Sequence, residues 1–258
     1  MIPVETEAVV LHTQDYGESD RIVAFFTLTS GLVRAIAKGA RRSRKRFVHA
    51  FEPNSVVHLT FRHRKGLAWV ESCRLVEVNL ALRADPVRWA YAGLLAETTL
   101  RLHPENLSSP EFYKLLCRGL ERLGTERDSV NVAALFLMRG IHIVGALPSL
   151  ESCSRCGRKM RESSTWCLSL SAGLFLCERH SLEDVRALKL DKGTTALLHA
   201  MLQVPVGKMW RFRLRKEVAH MLVQAAGAWV EEQSGQHLKS RRVLDSAANS
   251  AWAEPCRP

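Results

Sequence analysis

The first eighty residues carry apolar side chains at the two-residue period of half-buried β-strands. Val57, Leu59 and Phe61 alternate with polar residues, and two earlier apolar runs are separated by the turn Thr29-Ser30-Gly31. No helical pattern interrupts these strand-like runs. Five short strands in succession predict a small Greek-key barrel of the oligonucleotide-binding (OB) type over residues 1–80.

After Asn79 the apolar positions follow the longer period of helices. Asp85-Pro86 and Ser109-Pro110 each combine an N-cap side chain with a proline at the first helical position, which is typical of a helix start. Asp128 opens a third helical stripe, and a last long one covers residues 218–229. Such stripes indicate helices that bury one face in a core. The chain is therefore predicted to be an α+β protein in which the barrel is followed by an all-helical domain.

Four potential metal ligands occur later in the chain as two pairs with the same spacing. Two residues separate Cys153 from Cys156, and two residues separate Cys177 from His180. Two such pairs joined by a loop of this length can close a tetrahedral zinc site, and four protein ligands leave no position for a catalytic water. We therefore predict one structural Zn²⁺ ion bound by Cys153, Cys156, Cys177 and His180, in a zinc knuckle inserted at about residues 150–181.

Two alternatives to this ligand set remain open from the sequence. Cys167 competes with His180 for the fourth position, although it lies in a segment with the pattern of a buried strand. The chain has seven cysteines, and this odd number argues against a disulfide framework. The alternative to a metal site is that the cysteines are scattered reduced thiols. His180 is the preferred ligand since it completes a symmetric pair.

The changes of period define the predicted domains. Residues 1–80 form the OB domain, and residues 81–245 form the helical domain with the zinc-binding insertion. Residues 246–258 have no periodicity and are predicted to be a flexible tail.

The chain has a formal net charge of +11, and one dense cationic run contributes to it. No acid occurs between Gly31 and Phe51, and this run lies between strand-like segments instead of in a tail. A cationic loop on a small barrel suits a polyphosphate backbone, because each neutralised phosphate releases condensed counterions. A solvated charge run is the alternative. Together with the basic hairpin tip at 62–66, the predicted DNA-binding residues are Arg34, Lys38, Arg41, Arg42, Arg44, Lys45, Arg46, Arg62, Arg64 and Lys65.

Other aromatic and basic residues have two interpretations each. Phe47 and Phe51 could stack on bases, although burial in the barrel core is the preferred expectation. The segment 208–216 interleaves five cations with apolar residues. It could either extend the path of the DNA or place solvated charge at a helix end.

Enzymatic and membrane functions are disfavoured. The chain has no Walker A sequence and no G-x-S-x-G elbow, and its carboxylates do not cluster as in two-metal nucleases. His103-Pro104-Glu105 is similar to part of the zinc deaminase signature, but no proline precedes the first cysteine pair. No run of about 18 apolar residues could span a bilayer, and Glu5, Glu7 and Asp15 do not suit a signal peptide. We expect a cytoplasmic protein that is not an enzyme and binds neither a membrane nor a small-molecule substrate.

Several short motifs, in a fixed order along nearly the whole chain, resemble the RecO family of bacterial recombination mediators. They are Asp15-Tyr16-Gly17-Glu18-Ser19-Asp20-Arg21, Phe26-Thr27, Gly31, Ala37-Lys38-Gly39-Ala40-Arg41-Arg42, Gly145-Ala146-Leu147-Pro148, Ser171-Ala172-Gly173 and Leu238-Lys239-Ser240-Arg241. Three positions depart from the pattern of the family. His180 stands where a fourth cysteine is common, Ser43 where proline is frequent, and Leu174 where a second glycine is usual.

The resemblance implies an N-terminal OB barrel, a helical C-terminal domain and, in many members, a zinc knuckle. It also implies a nucleoid-associated DNA repair protein that binds single- and double-stranded DNA and anneals complementary strands. Such a protein would cooperate with RecR in loading RecA onto strands coated by single-stranded-DNA-binding protein (SSB), and would bind the acidic C-terminal tail of SSB. The alternative function is that of a zinc-containing RNA-binding protein, since the same charges would suit RNA.

Overall fold

A computed structural model describes residues 2–43, 46–47, 49–181 and 187–244. These residues form two compact units, one containing the chain up to Thr125 together with the described residues from Lys239 onward, and the other containing Glu126–Leu238. The predicted domain boundary at residue 80 lies within the first unit and stays a prediction. The predicted tail, residues 246–258, lies outside the described residues.

The first unit contains a closed five-stranded barrel. Its strands are β1 (Val4–Tyr16), β2 (Asp20–Thr27), β3 (Gly31–Ala37), β4 (Val56–Arg62) and β5 (Ala68–Glu77). They follow the order β1-β2-β3-β5-β4, and β4 pairs with β1 to close the barrel. Only the β3–β5 pair among them is parallel. This closed Greek-key arrangement is an OB fold, so the predicted fold class is confirmed.

Alternate residues of the strands fill the barrel, as the two-residue period predicted. Phe25, Leu59 and Phe61 are completely buried in this interior. Phe47 and Phe51, from the loop between β3 and β4, belong to the same apolar cluster, and their ring centroids are 5.1 Å apart. Their preferred interpretation as core residues is therefore confirmed, and neither ring is free to stack on a base.

Three helices follow the barrel in the first unit: α1 (Leu80–Arg83), α2 (Pro86–Leu102) and α3 (Pro110–Thr125). The side chain of Asp85 accepts hydrogen bonds from backbone N–H groups of the first turn of α2, as the N-cap motif predicted. The chain between α2 and α3 passes close to Gly31, which has a φ of +65°. A side chain on Gly31 would place its Cβ 1.8 Å from the backbone oxygen of Leu107, so this close approach requires glycine.

Four helices of the second unit are α4 (Ser129–Ile143), α5 (Lys192–Gln203), α6 (Val206–Met209) and α7 (Lys216–Ser234). α4 is buried along nearly all of its length and packs against α7. α7 is followed by Gly235, which has a φ of +65° and takes the left-handed conformation common after helices. None of the helices in the described parts of the chain is long and apolar enough to span a bilayer.

The second unit lies within the residues predicted to be all-helical, but it also contains a small antiparallel sheet, so this part of the chain is not all-helical. Its strands are β6 (Thr165–Ser169), β7 (Leu174–Cys177) and β8 (Leu188–Asp191), in the order β7-β6-β8. The sequence pattern indicated a strand at the position of β6, whereas β7 and β8 are too short for a clear two-residue period. This sheet is the scaffold for the cysteine pairs.

Candidate nucleic-acid interface and metal centre

Arg41, in the cationic loop (defined here as residues 38–46), contacts the turn between β1 and β2. The backbone N–H of Arg41 donates to the carbonyl oxygen of Ser19 at 2.9 Å, and its Nη1 donates to that of Gly17 at 2.9 Å. The Nε atom of Arg41 lies 3.3 Å from Oδ2 of Asp15. Arg41 therefore holds two barrel loops together in addition to carrying charge.

Asp20 binds the first residues of the cationic loop. Its Oδ2 lies 2.7 Å from Nζ of Lys38, and its Oδ1 accepts the backbone N–H of Gly39 at 2.9 Å. The hydrogen bond from Lys38, followed by the one from Gly39, lowers the pKa of Asp20 although partial desolvation opposes this shift. Asp20 therefore remains ionised and offsets the charge of Lys38.

Acids also pair with further members of the predicted DNA-binding set. The pairs are Arg34 with Glu105 at 2.9 Å, Arg42 with Glu18 at 3.7 Å, and Arg62 with Glu71. Each of these side chains is more than one-third exposed. Such pairs contribute about 0–1 kcal/mol, so a phosphate can compete with the acid for the cation. These acids come from other parts of the sequence, so the run from Gly31 to Phe51 does not by itself show that its cations are paired.

Three predicted cations have no acid within ion-pair distance in the part of the chain that the structure describes: Arg46, Arg64 and Lys65. The guanidinium carbon of Arg46 is 4.5 Å from the ring centroid of Phe47, and that of Arg64 is 3.9 Å from the ring centroid of Trp69. Arg44 and Lys45 lie outside the described residues. Among the described members of the predicted set, two of these three cations therefore lie in the basic hairpin, residues 62–66.

Sequence reasoning missed two exposed aromatic residues of the barrel, and one of them, Trp69, lies beside Arg64. Trp69 is 40% exposed and Tyr16 is 51% exposed. The alternation of buried Ala68 and Val70 around Trp69 could have placed the indole on the outer surface of the barrel.

The second basic segment, residues 208–216, belongs to the second unit. Arg213 binds Glu126 at 2.8 Å and also donates to backbone oxygens of its own segment. Arg215 forms an ion pair with Asp191. These contacts favour a structural role for the two arginines over a role in binding DNA.

The four predicted metal ligands come together in the second unit. One ligand atom from each of Cys153, Cys156, Cys177 and His180 lies within 4.8 Å of the others. Nδ1 of His180 is 3.5 Å from Sγ of Cys153 and 3.4 Å from Sγ of Cys177, and the sulfurs of Cys156 and Cys177 are 3.8 Å apart. A tetrahedral ion with metal–sulfur bonds of about 2.3 Å separates its ligand atoms by about 3.5–3.8 Å. The donor set and its spacing therefore fit a metal ion.

Local backbone structure assembles this cysteine cluster. Gly157, with a φ of +68°, donates its N–H to the carbonyl oxygen of Cys153 at 2.9 Å and closes the first knuckle. Ser154 in that knuckle exchanges two hydrogen bonds with Phe175 of β7, at 2.7 and 3.0 Å. β7 ends at Cys177, and the 3₁₀ turn that follows returns the chain so that His180 lies beside it. Both ligand pairs are therefore attached to the same strand.

Burial and hydrogen bonding act in opposite directions on two thiols of the cluster. Burial opposes ionisation of Cys153, but hydrogen bonds from the backbone at Cys177, Cys156 and Arg155, together with the one from His180, lower its pKa to about 6. Burial raises the pKa of Cys177, and the neighbouring thiols raise it further. A bound cation would favour the thiolate at both positions.

Cys167, the alternative fourth ligand, lies elsewhere. It occupies the middle of β6, opposite Leu176 of β7 and Lys189 of β8, and is 1% exposed. It does not belong to the group of potential ligands.

Family comparisons cover both parts of the chain. Residues 1–79 match the family model described as Recombination protein O N terminal, and residues 83–242 match Recombination protein O C terminal. A DNA repair protein RecO of Syntrophobacter fumaroxidans is 41% identical over 247 residues, which cover 96% of this chain and 99% of that protein. The protein of the same name from Syntrophotalea carbinolica is 32% identical, with 93% of each chain covered. With its OB barrel and its cysteine cluster, the chain belongs to the RecO family of DNA repair proteins.

Proposed function

We propose that this chain is a recombination mediator that binds single- and double-stranded DNA and anneals complementary strands. The observation that carries the proposal is the position of the cations. Arg41 of the cationic loop is hydrogen-bonded to the β1–β2 turn, and the basic hairpin joins β4 to β5. OB folds commonly bind oligonucleotides with the β1–β2 and β4–β5 loops and the strand surface between them.

The proposed mechanism is electrostatic. Arg46, Arg64 and Lys65 would contact phosphates first, because no acid pairs with them in the described residues. The paired cations, such as Arg34 and Arg42, would exchange a carboxylate for a phosphate. Neutralising the phosphates of two strands would reduce their repulsion and allow base pairing without ATP. If roughly five phosphates of a single strand are neutralised, affinity would fall about a hundredfold between 50 and 200 mM salt.

Membership of the RecO family supports the proposed partners. We infer that the chain acts in the nucleoid with RecR, and that it helps to load RecA onto strands coated by SSB. Recognition of the acidic C-terminal tail of SSB would need an apolar pocket with cations at its rim. The proposal needs no catalytic residue.

We also infer that the ion of the cysteine cluster is Zn²⁺. Three cysteines and one histidine form a common set for structural zinc, and the distances among them suit its tetrahedral geometry. Cys153, Cys156, Cys177 and His180 would fill every position around the ion. The ion would then cross-link the knuckle to β7 instead of activating water.

Strand annealing by a neutralised hairpin variant tests this function. Arg64→Gln/Lys65→Gln removes two cations without an acidic partner, and Lys189→Gln/Lys192→Gln removes two exposed cations from the second unit as a matched control. We expect the first variant to anneal complementary oligonucleotides about tenfold more slowly and to lower the salt slope by about 1.4, or 0.7 for each lost contact. The control should match the wild type.

Equal annealing by both variants would contradict the proposed interface. The same oligonucleotide should also be compared as DNA and as RNA. Stronger binding to RNA, without annealing of DNA, would favour the alternative of an RNA-binding protein.

A further inference from the structure

Trp69 is the most exposed tryptophan in the described part of the chain. It is 40% exposed, whereas Trp166, Trp210 and Trp229 are at most 7% exposed. A large aromatic side chain on the outer surface of a barrel makes no contribution to the barrel interior. Its exposure therefore requires another explanation.

The strand register places Trp69 in a row that crosses the barrel surface. Arg62 of β4 lies directly opposite Trp69, which is paired on its other side with Ile36 of β3. The row continues through Ile22 of β2 to Gln14 of β1. Residues paired across neighbouring strands share one face of the sheet. Trp69 thus has a cation on one side and apolar side chains on the other.

Arg64 completes the surroundings of Trp69. Its guanidinium carbon lies 3.9 Å from the centroid of the indole ring, and no acid pairs with it in the described residues. This arrangement combines a flat aromatic face with two adjacent cations, of which Arg62 is paired with Glu71 and would exchange that acid for a phosphate. A nucleotide presents the complementary combination, since it has a flat base and an adjacent negatively charged phosphate.

We propose that Trp69 is a stacking platform for one unpaired base of a DNA strand. This inference rests on the proposed function. The base replaces Arg64 over the indole, because stacking of a base on an aromatic ring is stronger than an exposed cation–π contact. The displaced guanidinium and Arg62 then contact the flanking phosphates.

The platform has a consequence for specificity. The bases of a duplex are already stacked and paired, so they cannot reach Trp69 without an energetic cost. Phosphates, in contrast, are available in both forms of DNA. Trp69 therefore favours single strands over duplexes, whereas the surrounding cations bind both.

Substitutions at Trp69 separate the contribution of stacking to DNA binding from the contributions of apolar side-chain volume and of charge. Trp69→Phe keeps an aromatic face, Trp69→Leu keeps an apolar side chain without one, and Val76→Ala removes another exposed apolar side chain of β5 as a control. Binding is measured with a thymidine oligonucleotide and with a duplex of equal phosphate number, over a range of salt concentrations. Thermal unfolding of each variant checks that the barrel is intact.

We expect Trp69→Leu to weaken single-strand binding about tenfold, which is within the range for loss of one stacked base. Trp69→Phe should lose about threefold or less, and the affinity of every variant for the duplex should remain within about twofold of the wild type. The salt slope should not change, because no charge is removed. Quenching of tryptophan fluorescence by the oligonucleotide should decrease in Trp69→Phe.

Full single-strand affinity in Trp69→Leu would overturn the platform and leave the proposed function intact, provided that the wild type binds DNA in a salt-dependent manner. An equal loss on single strands and duplexes would also overturn it, since Trp69 would then support the phosphate path or the barrel. Failure of the wild type to bind either oligonucleotide would overturn both proposals.

Discussion

On the barrel surface, acids pair with most of the described cations that were predicted to bind DNA, whereas the predicted metal ligands of the cysteine cluster lie next to one another. Five of the eight described cations pair with an acid: Arg34, Lys38, Arg41, Arg42 and Arg62. In the cluster, four ligand atoms from two short segments lie within 4.8 Å of one another. Both regions are built from charged or ionisable side chains. In the barrel these side chains lie on the surface of a fold that we expect to form without them, whereas in the cluster we expect them to hold the fold together.

The barrel would keep its fold without most of its surface cations. Its strands close through backbone pairing around an apolar interior, and most predicted DNA-binding side chains lie outside that interior. The knuckle of the cluster, in contrast, is short, and two hydrogen bonds between Ser154 and Phe175 attach it to β7, so we expect its ligands to be a main source of its order. A lost cation should therefore alter binding, and a lost ligand should alter folding.

Loss of a ligand should give the largest effect and would test this contrast directly. We expect Cys177→Ser to abolish binding of zinc and to reduce the free energy of unfolding by at least about 3 kcal/mol, since structural zinc contributes more than this in zinc-finger peptides. Zinc content and thermal unfolding measure the two effects. Cys167→Ala is the control, because Cys167 is buried in β6 but does not belong to the cluster. Retention of zinc by Cys177→Ser, or its loss from Cys167→Ala, would show that the ligand set is wrong.

Substitution of Arg41 should have an effect of intermediate size, because Arg41 is a cation that also has a structural role. Arg41→Ala removes the bond to the carbonyl oxygen of Gly17 and the pair with Asp15, so we expect the free energy of unfolding to fall by about 1 kcal/mol. Arg42→Ala removes the same charge and only a 3.7 Å pair, and should change stability by less than about 0.5 kcal/mol. Urea unfolding of the two variants provides the measurement. Equal stabilities would mean that Arg41 does not hold the two loops together.

Removal of an acid that competes with phosphate should have the smallest effect. It should be a gain, because the affinity for DNA should rise. Glu105→Gln releases Arg34, so we expect single-strand affinity to rise about two- to threefold at low salt and the gain to disappear at high salt. Glu232→Gln on α7 makes the same change of charge in the second unit as a control. Fluorescence anisotropy with a labelled oligonucleotide is sensitive enough for this measurement. If both variants bind equally, the gain comes from net charge and not from the release of Arg34.

Local signals predicted most of the fold and the four residues that come together as potential metal ligands. Asp85 and the proline after it specify a helix start through groups that are close in sequence. The same is true of the two-residue spacing within each ligand pair. Strands β7 and β8 were not predicted, because each has only four residues and takes its order from pairing with β6.

The acids of the barrel surface could not be predicted by inspecting the cationic run. Glu71 reaches Arg62 across a strand pair, and Glu105 reaches Arg34 from the segment between α2 and α3. The position of Trp69 beside Ile36 likewise depends on the parallel pairing of β3 with β5, which joins segments far apart in the chain. A count of charges along the sequence therefore overestimated the free positive charge.

The sequence by itself determined the alternation that builds the barrel, the caps of the helices and the spacing within each candidate ligand pair, because each of these depends on side chains within a few residues of one another. Only the tertiary structure decided which cations remain free for phosphate and which aromatic ring lies among them. The reason is physical: the field of a charge acts through space over several ångströms, regardless of how many residues separate it from its partner along the chain.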